Sequence, residues 1–232
     1  MDSDRRPPTP HYFEHERPEV AALVPAAARR VVDVGCGAGA LGRALKRARP
    51  GVQVRGVELV PAQAERARAA LDDVAVGDAG DGLPAGWPRP DCVIFADVLE
   101  HLVDPWAALR RWRSDLTAGG AVIVSVPNIL HRSILGELRR FRWDYKEEGI
   151  LDRTHLRFFT RRTAIELLEQ AGLRVTRLQR CMDGRPLGPL GHLLLWPRQR
   201  LERAGSIRSA DLDPLGLLAD LYTVQLVLVG QG

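Results

Sequence analysis

The residues best suited to chemistry lie in one glycine-rich stretch, Val31-Val32-Asp33-Val34-Gly35-Cys36-Gly37-Ala38-Gly39. A run that suits a strand leads into three glycines, each separated from the next by one residue. Glycine lets the backbone turn tightly and approach a ligand that a Cβ atom would repel. The last glycine comes one residue too early for the dinucleotide fingerprint G-x-G-x-x-G. We therefore expect the turn to hold a nucleoside-bearing cofactor other than a dinucleotide.

Acidic residues at the ends of three predicted strands narrow the choice of cofactor. Asp33 ends the first strand, Glu58 the second and Asp78 the third. A carboxylate at Asp33 disfavours a pyrophosphate, but it suits S-adenosylmethionine, which has no phosphate and carries a cationic sulfonium and ammonium. Glu58 is placed to accept from both ribose hydroxyls, and Asp78 to accept from the adenine amino group. The predicted cofactor-binding residues are Asp33, Gly35, Cys36, Gly37, Gly39, Glu58, Leu59, Asp78, Ala79, Ala96 and Asp97.

Residues 31 to 128 resemble the class I S-adenosylmethionine-dependent methyltransferases. The glycine turn matches the first motif of that family, and Glu58 and Asp78 match its ribose and adenine acids. The stretch Asp97–His101 matches its motif after the fourth strand, and Ala121–Asn128 its fifth strand. Five motifs in the family's order are far more specific than a glycine turn alone.

Strands alternate with helices along most of the sequence. This alternation implies an α/β fold with a parallel sheet and right-handed crossovers. The resemblance implies a Rossmann-like, seven-stranded, mostly parallel sheet with helices on both faces and an antiparallel last strand. The predicted helices are Pro18–Arg29, Ala40–Arg49, Pro61–Leu71, one that opens at Asp104-Pro105 and runs to Gly119-Gly120, and Thr160–Ala171.

The predicted organisation is a disordered tail at residues 1–10, followed by a single domain at residues 11–232. Two stretches, 128–159 and 183–220, interrupt the alternation of strands and helices. Both are expected on the carboxyl side of the sheet, where ligands bind in open α/β folds, and so to cover the substrate. The resemblance implies that the last strand, Tyr222–Val229, pairs with the sixth.

The first insertion extends the resemblance to a subgroup. Pro127-Asn128, His131 and the segment 151–160 are similar to bacterial methyltransferases linked to cell-surface polysaccharide and glycan biosynthesis, and residues 11–18 match the lead-in of that subgroup. Ubiquinone-type O-methyltransferases share the turn Leu99-Glu100-His101. The methionine-biosynthesis MetW proteins share the Pro-Asn…His pattern but generally lack the Glu-His turn.

The resemblance predicts methyl transfer to an oxygen of a small molecule, with a sugar hydroxyl of glycan or natural-product biosynthesis as the favoured acceptor. Two alternatives stay open. One is an O-methyltransferase for a small aromatic or quinone precursor. The other is a non-catalytic, MetW-like protein that keeps the fold in order to regulate or stabilise another enzyme.

Three histidines are predicted to act on the acceptor, because a neutral imidazole readily takes a proton from a hydroxyl group. His155 is the first choice, since its segment is expected to fold over the sulfonium, and Asp152 is placed to orient its ring. His101 and His131 are the other two, with holding the Glu100 loop as the alternative role of His101. Glu100 and His101 could bind a metal beside the acceptor, but two adjacent residues with one distant partner do not form a set at metal-ligand spacing, so we expect no metal.

The composition is that of a soluble globular protein from a reducing compartment. Of the 232 residues, 45% are hydrophobic and 27% are charged. No apolar run approaches the roughly 20 residues of a membrane span, and the polar, proline-rich N-terminus does not resemble a signal peptide. The three cysteines are odd in number and lack C-x-x-C spacing, which disfavours a disulfide framework or a zinc site. We therefore expect a cytoplasmic protein.

The net charge of +4 does not indicate a nucleic-acid partner. All 33 basic residues except Lys46 and Lys146 are arginine, a bias typical of GC-rich genomes, and they are spread along the chain. Leu190–Trp196, followed by Arg198, Arg200 and Arg203, suits a lid helix or homodimer contact, with a peripheral membrane contact as the alternative. The first insertion offers guanidinium groups for an anionic acceptor, or simply a solvated face: Arg139, Arg140, Arg142, Arg153 and Arg157.

Overall fold

The computed structural model of the chain describes residues 15–182, 202–203 and 219–232. The helices are α1 (Pro18–Ala21), α2 (Ala40–Ala48), α3 (Pro61–Ala67), α4 (Pro105–Asp115), α5 (Arg132–Leu138) and α6 (Arg161–Gln170). The strands are β1 (Arg30–Val34), β2 (Gln53–Glu58), β3 (Asp73–Val76), β4 (Cys92–Ala96), β5 (Ala121–Pro127), β6 (Arg174–Met182), β7 (Glu202–Arg203) and β8 (Thr223–Gln231).

The strands form one sheet in the order β3-β2-β1-β4-β5-β8-β6-β7. Strands β1 to β5 pair in parallel, and β8 runs antiparallel between β5 and β6. This arrangement confirms the predicted mixed sheet with its antiparallel last strand. The two-residue strand β7 adds an eighth, unpredicted strand at the edge beside β6.

Alternate residues of the central strands face two separate cores, which confirms that helices cover both faces of the sheet. On one face, Val93 and Phe95 of β4 pack with Trp112 of α4 and Leu168 of α6. On the other face, Ile94 of β4 packs into a cluster that also holds residues of α2 and α3. Burial on both faces holds the carboxyl ends of the strands at fixed positions along one edge.

Two helix boundaries were predicted well because their capping residues act locally. Asp104 accepts a hydrogen bond from the Ala107 amide at 2.9 Å and Pro105 takes the first position of α4. Thr160 forms a capping box with Thr163 at the start of α6. Gly172, with φ of 78°, follows the end of that helix.

Other boundaries differ from the prediction. Helix α1 ends at Ala21 rather than Arg29, because Pro25 has no amide hydrogen and disfavours helical backbone in the residue before it. Helix α3 ends at Ala67 rather than Leu71, and its last residues continue as isolated turns. The first insertion contains α5, which the sequence analysis did not predict, and its only β-pairing among the described residues is two isolated bridges.

Several sequence predictions lie outside the described residues. They are the tail at 1–10, almost all of the second insertion and the apolar-then-basic stretch from Leu190.

All three cysteines are free thiols. In the part of the chain that the structure describes, no helix is both long and apolar enough to cross a membrane.

Candidate active site

The site lies at the carboxyl ends of the parallel strands, where the strand order reverses. The chain passes from β1 to β2 on one side, whereas β4 pairs with β1 on the other side. Open α/β sheets bind ligands at such a switch point, because the loops after the two central strands diverge and leave a crevice. Glu58 ends β2 and Asp97 follows β4, so they flank β1 and lie along this edge.

The glycine turn after β1 has all three of its glycines in left-handed backbone. Gly35, Gly37 and Gly39 have φ values of 72°, 53° and 79°, which side-chain-bearing residues rarely adopt. A Cβ atom on Gly35 would lie 2.6 Å from Cγ2 of Val98, and one on Gly39 would lie 3.3 Å from Cα of Ala67. The turn is therefore packed directly against the loop after β4 and against α3.

Glu58 is held at the end of β2 as the sequence predicted, with its carboxylate turned towards the glycine turn. Its two oxygens accept from the amides of Gly37 at 2.8 Å and Val60 at 2.9 Å, and the residue is 6% exposed. Each carboxylate oxygen can accept two hydrogen bonds, so capacity remains for a ribose diol. Leu59, which is 64% exposed, lies beside it with its side chain free to cover a ligand.

Asp33 supplies a buried acid beneath the turn. Burial, and then the nearby charge of Glu58, raise its pKa to about 7, while Arg17 acts in the opposite direction. A buried carboxyl group that loses its proton near neutral pH gains from a cationic ligand, which would favour its charged form. The two acidic residues thus fit S-adenosylmethionine, which brings positive charge to this crevice.

Cys36, Asp78 and Ala79 occupy supporting positions. The Cys36 thiol is buried beside Gly56, and burial raises its pKa, so it packs as a small apolar group. Asp78 is exposed at the end of β3, where one carboxylate oxygen accepts from the Gly80 amide at 2.7 Å. The carbonyl of Ala79 accepts from Nε1 of Trp112 at 2.7 Å, which anchors the turn after β3 to α4.

Asp97 follows Ala96 at the end of β4 and is engaged by the protein itself. Its carboxylate forms an ion pair with Arg17 and accepts from the Gln225 side chain. Gln225 also donates to the Ser125 hydroxyl at 2.6 Å. Burial raises the pKa of Asp97 and the charge of Arg17 opposes that rise. The sequence analysis missed Gln225 and Ser125, since residues on separate strands leave no local pattern.

The structure brings two of the three predicted histidines together. The rings of His101 and His155 lie 4.8 Å apart between centroids and are inclined by 70°. The amides of Leu156 and Arg157 donate to the carbonyl of Glu100 at 2.8 and 3.0 Å, which docks the first insertion on the turn after β4. The third histidine has a structural position, because the imidazole of His131 accepts from the Ser133 amide and caps α5.

The expected contact between Asp152 and His155 was wrong. Nδ1 of His155 lies 3.1 Å from the carbonyl oxygen of Ile150, while Oδ1 of Asp152 accepts from the amide and hydroxyl of Thr154 at 2.7 and 2.6 Å. The backbone turn between these residues points the carboxylate to Thr154 instead. Spacing along the sequence could not distinguish these two partners.

Glu100 is the most unusual group of the site. It is 1% exposed, and neither carboxylate oxygen has a hydrogen-bond partner among the described residues. Burial, and then the charge of Asp97, raise its pKa well above the usual range. One ligand atom from each of Glu100, His101 and His155 lies within 4.8 Å of the other two, close enough to hold a metal ion. The third member of this group comes from the insertion and was not expected from the sequence.

The arginines of the first insertion are mostly engaged with neighbouring residues. Arg140, Arg142 and Arg153 form ion pairs with Glu137, Asp144 and Glu147, respectively. Arg157 donates to the carbonyl of Val103, and its guanidinium lies 5.9 Å from the ring centroid of Trp106. These contacts favour the interpretation of a solvated, internally paired surface.

A mixed sheet of this order, with a glycine turn after β1 and an acid at the end of β2, defines the fold of class I S-adenosylmethionine-dependent methyltransferases. The model of a methyltransferase-domain family matches residues 9–178, well over half of the chain. The chain belongs to this methyltransferase family.

The relatives of this chain are named for different substrates. The chain is similar to the ubiquinone biosynthesis O-methyltransferase of Cereibacter sphaeroides, with 31% identity over 67% of this chain and 64% of the relative. It is also similar to the trans-aconitate 2-methyltransferase of Mycobacterium tuberculosis, with 34% identity over 43% of this chain and 38% of the relative. The matches thus cover less than two thirds of the length of these relatives.

Solved structures agree on the fold. A methyltransferase from Thermotoga maritima superposes with a TM-score of 0.62 and 20% identity, over 94% of this chain and 88% of the other. One from Mesorhizobium loti superposes with a TM-score of 0.61 and 18% identity, over 94% and 97% of the two chains. Both are S-adenosylmethionine-dependent methyltransferases, and the family and fold together imply that cofactor.

Proposed function

We propose that the protein transfers the methyl group of S-adenosylmethionine to an oxygen of a small molecule, with a sugar hydroxyl as the favoured acceptor. The observation that carries this proposal is the polar group formed by Glu100, His101 and His155, which begins two residues after Val98, the residue packed against Gly35. Buried polar groups gain when a ligand supplies hydrogen bonds. A polyhydroxylated acceptor supplies several at once, whereas a flat aromatic ring supplies few.

The cofactor-binding residues remain those of the sequence prediction. The glycine turn, Gly35 to Gly39 with Cys36, would hold the amino-acid part of the cofactor, with Asp33 beneath it. Glu58 and Leu59 would hold the ribose, and Asp78 with Ala79 the adenine. Ala96 and Asp97 would border the methyl end, with Arg17 holding Asp97 in place. When bound, the cofactor supplies a methyl group on a positively charged sulfur, already activated for transfer.

The acid beneath the turn makes cofactor binding depend on pH. Asp33 is mostly protonated below its folded-state pKa of about 7. A bound cation favours the charged carboxylate, so binding should release a proton, and affinity should rise by about tenfold between pH 6 and pH 8. Calorimetry in buffers of different ionisation enthalpy measures both effects. Asp33→Asn should bind more weakly and without this pH dependence; a wild-type affinity that falls with pH would contradict the assignment.

The side chains around the acceptor would align its hydroxyl group, exclude water and take up one proton. Nδ1 of His155 faces a carbonyl oxygen, so it donates there and leaves Nε2 to accept. The imidazoles of His101 and His155 are therefore the proposed proton acceptors, and His131 is proposed to shape the acceptor pocket from the start of α5. Alignment and general-base catalysis each lower the barrier.

The alternative acceptor, a small aromatic or quinone precursor, is favoured by the similarity to ubiquinone biosynthesis O-methyltransferases. A methyl-transfer screen decides between the two proposals, with product mass measured for nucleotide sugars, catechols and a tricarboxylate such as trans-aconitate. Methylated sugar supports the favoured proposal, and methylated catechol alone supports the alternative. Cofactor binding without transfer to any acceptor would favour the non-catalytic, MetW-like role.

Methyl transfer is expected to proceed without a metal ion, although the structure places three ligand atoms close together. The reason is that the sulfonium is already an activated electrophile, and burial raises the pKa of Glu100, which weakens its carboxyl group as a ligand for a cation. Rates after exhaustive chelation should equal those of untreated enzyme. A large loss of rate that magnesium or zinc restores would instead assign Glu100, His101 and His155 to a metal site.

For partners and location, we propose a small-molecule acceptor, no nucleic acid and the cytoplasm. Surface arginines are paired locally, as in Arg30–Asp91 and Arg47–Glu16, rather than gathered into a basic stripe. Three free thiols suit a reducing compartment. A homodimer or a peripheral membrane contact through the second insertion stays a proposal, tested by light scattering and by flotation with lipid vesicles.

A further inference from the structure

A chain of hydrogen bonds links Asp152 to the ring of His101 through Thr154. The Thr154 hydroxyl donates to Oδ1 of Asp152 at 2.6 Å and lies 3.0 Å from Nδ1 of His101. A hydroxyl group has one hydrogen, and here it is given to the carboxylate. Nδ1 of His101 must therefore donate to the hydroxyl oxygen or to the Thr154 carbonyl oxygen, 3.3 Å away. This arrangement fixes the neutral ring with its hydrogen on Nδ1 and its lone pair on Nε2.

We propose that His101 is the catalytic residue that takes the acceptor's proton, and that Thr154 and Asp152 are its positioning residues. The inference rests on the proposed methyl transfer, and it assigns the proton to His101 rather than to His155. In the proposed methyl transfer, the acceptor oxygen bonds to the methyl carbon while the carbon–sulfur bond breaks and its electron pair stays on sulfur. The hydroxyl proton passes to Nε2 of His101, and solvent later removes it.

Three observations favour His101 over His155. First, His101 is only half-buried, whereas His155 is 8% exposed, so an acceptor arriving from solvent meets His101 first. Second, the turn that holds His101 follows Val98, the residue packed against the glycine turn. Third, a proton on His101 would be stabilised by the Asp152 carboxylate through Thr154, whereas Nδ1 of His155 reaches a neutral carbonyl group.

The groups around His101 also keep it ready to accept a proton. Burial, and then the neighbouring ring of His155, lower the pKa of His101, while the Thr154 carbonyl and Asp152 act in the opposite direction. The resting ring is therefore neutral at physiological pH. It gains its charge only when the acceptor's proton arrives, and the carboxylate then offsets that charge.

The tautomer of His101 tests the positioning without any acceptor. The full chain is labelled with ¹⁵N-histidine, the His101 ring is assigned with His101→Gln, and long-range ¹H–¹⁵N correlations report which nitrogen carries the hydrogen. We expect the hydrogen on Nδ1 in the wild type and in Thr154→Ser, and a partial shift towards the Nε2–H form in Thr154→Val, which keeps only the longer contact of Nδ1 with the backbone carbonyl. Thr154 is exposed, so valine should not disturb folding. Thr176→Val, which removes a remote hydroxyl on β6, is the matched control and should leave the tautomer unchanged.

Turnover then tests the chemical role, with the best acceptor from the screen. His101→Gln should lower kcat by about 10²-fold or more with cofactor binding unchanged, and Thr154→Val should lower it less, with Thr154→Ser restoring it. A wild-type ring protonated on Nε2, or a loss of kcat in His155→Gln but not in His101→Gln, overturns the inference. Absence of turnover in the wild type overturns the proposed function instead, even where the tautomer is as expected.

Discussion

Replacing Gly37 by valine is expected to abolish binding of S-adenosylmethionine. Gly37 has φ of 53° in the middle of the glycine turn, a conformation that a β-branched residue resists strongly. Its amide also donates to Glu58 at 2.8 Å, so a relaxed backbone would turn that donor away from the carboxylate. The new side chain would in addition enter the space proposed for the cofactor. Calorimetric titration of the purified variant should show no binding heat at concentrations that saturate the wild type.

Gly51→Val is the matched control for this experiment. Gly51 also has a positive φ, 88°, but it lies in the turn before β2 and nothing lies within 4 Å of a Cβ atom built there. The Gly51→Val substitution therefore introduces backbone strain away from the crevice, and this variant should bind the cofactor normally. Circular dichroism confirms that both variants are folded. Normal binding by folded Gly37→Val would contradict the placement of the cofactor over this turn.

Replacing Asp220 by alanine is expected to cost about 3–5 kcal/mol of unfolding free energy, because it leaves buried arginine charge without its carboxylate. Asp220 is 1% exposed and accepts from Nε of Arg161 at 2.9 Å and from Nε of Arg180 at 3.0 Å. These arginines belong to α6 and β6, so the carboxylate joins α6 and β6 to the segment just before β8. Equilibrium unfolding in urea, followed by circular dichroism, measures the loss.

The control is Asp144→Ala, which removes an exposed ion pair with Arg142. Because solvent screens that pair and holding two exposed side chains in one geometry costs entropy, stability should change little. An Asp220→Ala variant that unfolds at the same urea concentration as the wild type would show that the arginine charges find other compensation. Asp220→Asn, which keeps the shape of the side chain, separates loss of charge from loss of packing.

The cofactor half of the site was predictable because its signals are local. A strand, a tight turn and a helix follow one another within a few residues, and glycine adopts the positive φ of Gly35, Gly37 and Gly39 more readily than any other residue. Glu58 could be found by the same means, since an acid that ends a parallel strand must lie at the carboxyl edge of the sheet. The caps at Asp104 and Thr160 were likewise predictable from their own neighbours.

The acceptor half depended on contacts between distant segments. His101 and His155 are far apart along the chain, and they meet because the amides of Leu156 and Arg157 bind the carbonyl of Glu100. The partner of Asp152 was mispredicted for the same reason, since only the folded turn selects Thr154 over the His155 ring. The ion pair of Arg17 with Asp97 left no periodic pattern either.

The sequence by itself therefore determined the family, the acidic residues at the strand ends and the glycine turn, because secondary-structure propensity and backbone sterics act over a few residues. Only the tertiary structure decided which imidazole is linked to a carboxylate and which buried carboxyl groups lie close enough to raise a neighbour's pKa. Hydrogen-bond direction and burial depend on atoms that the chain brings together only on folding, and those atoms set the proton chemistry proposed here.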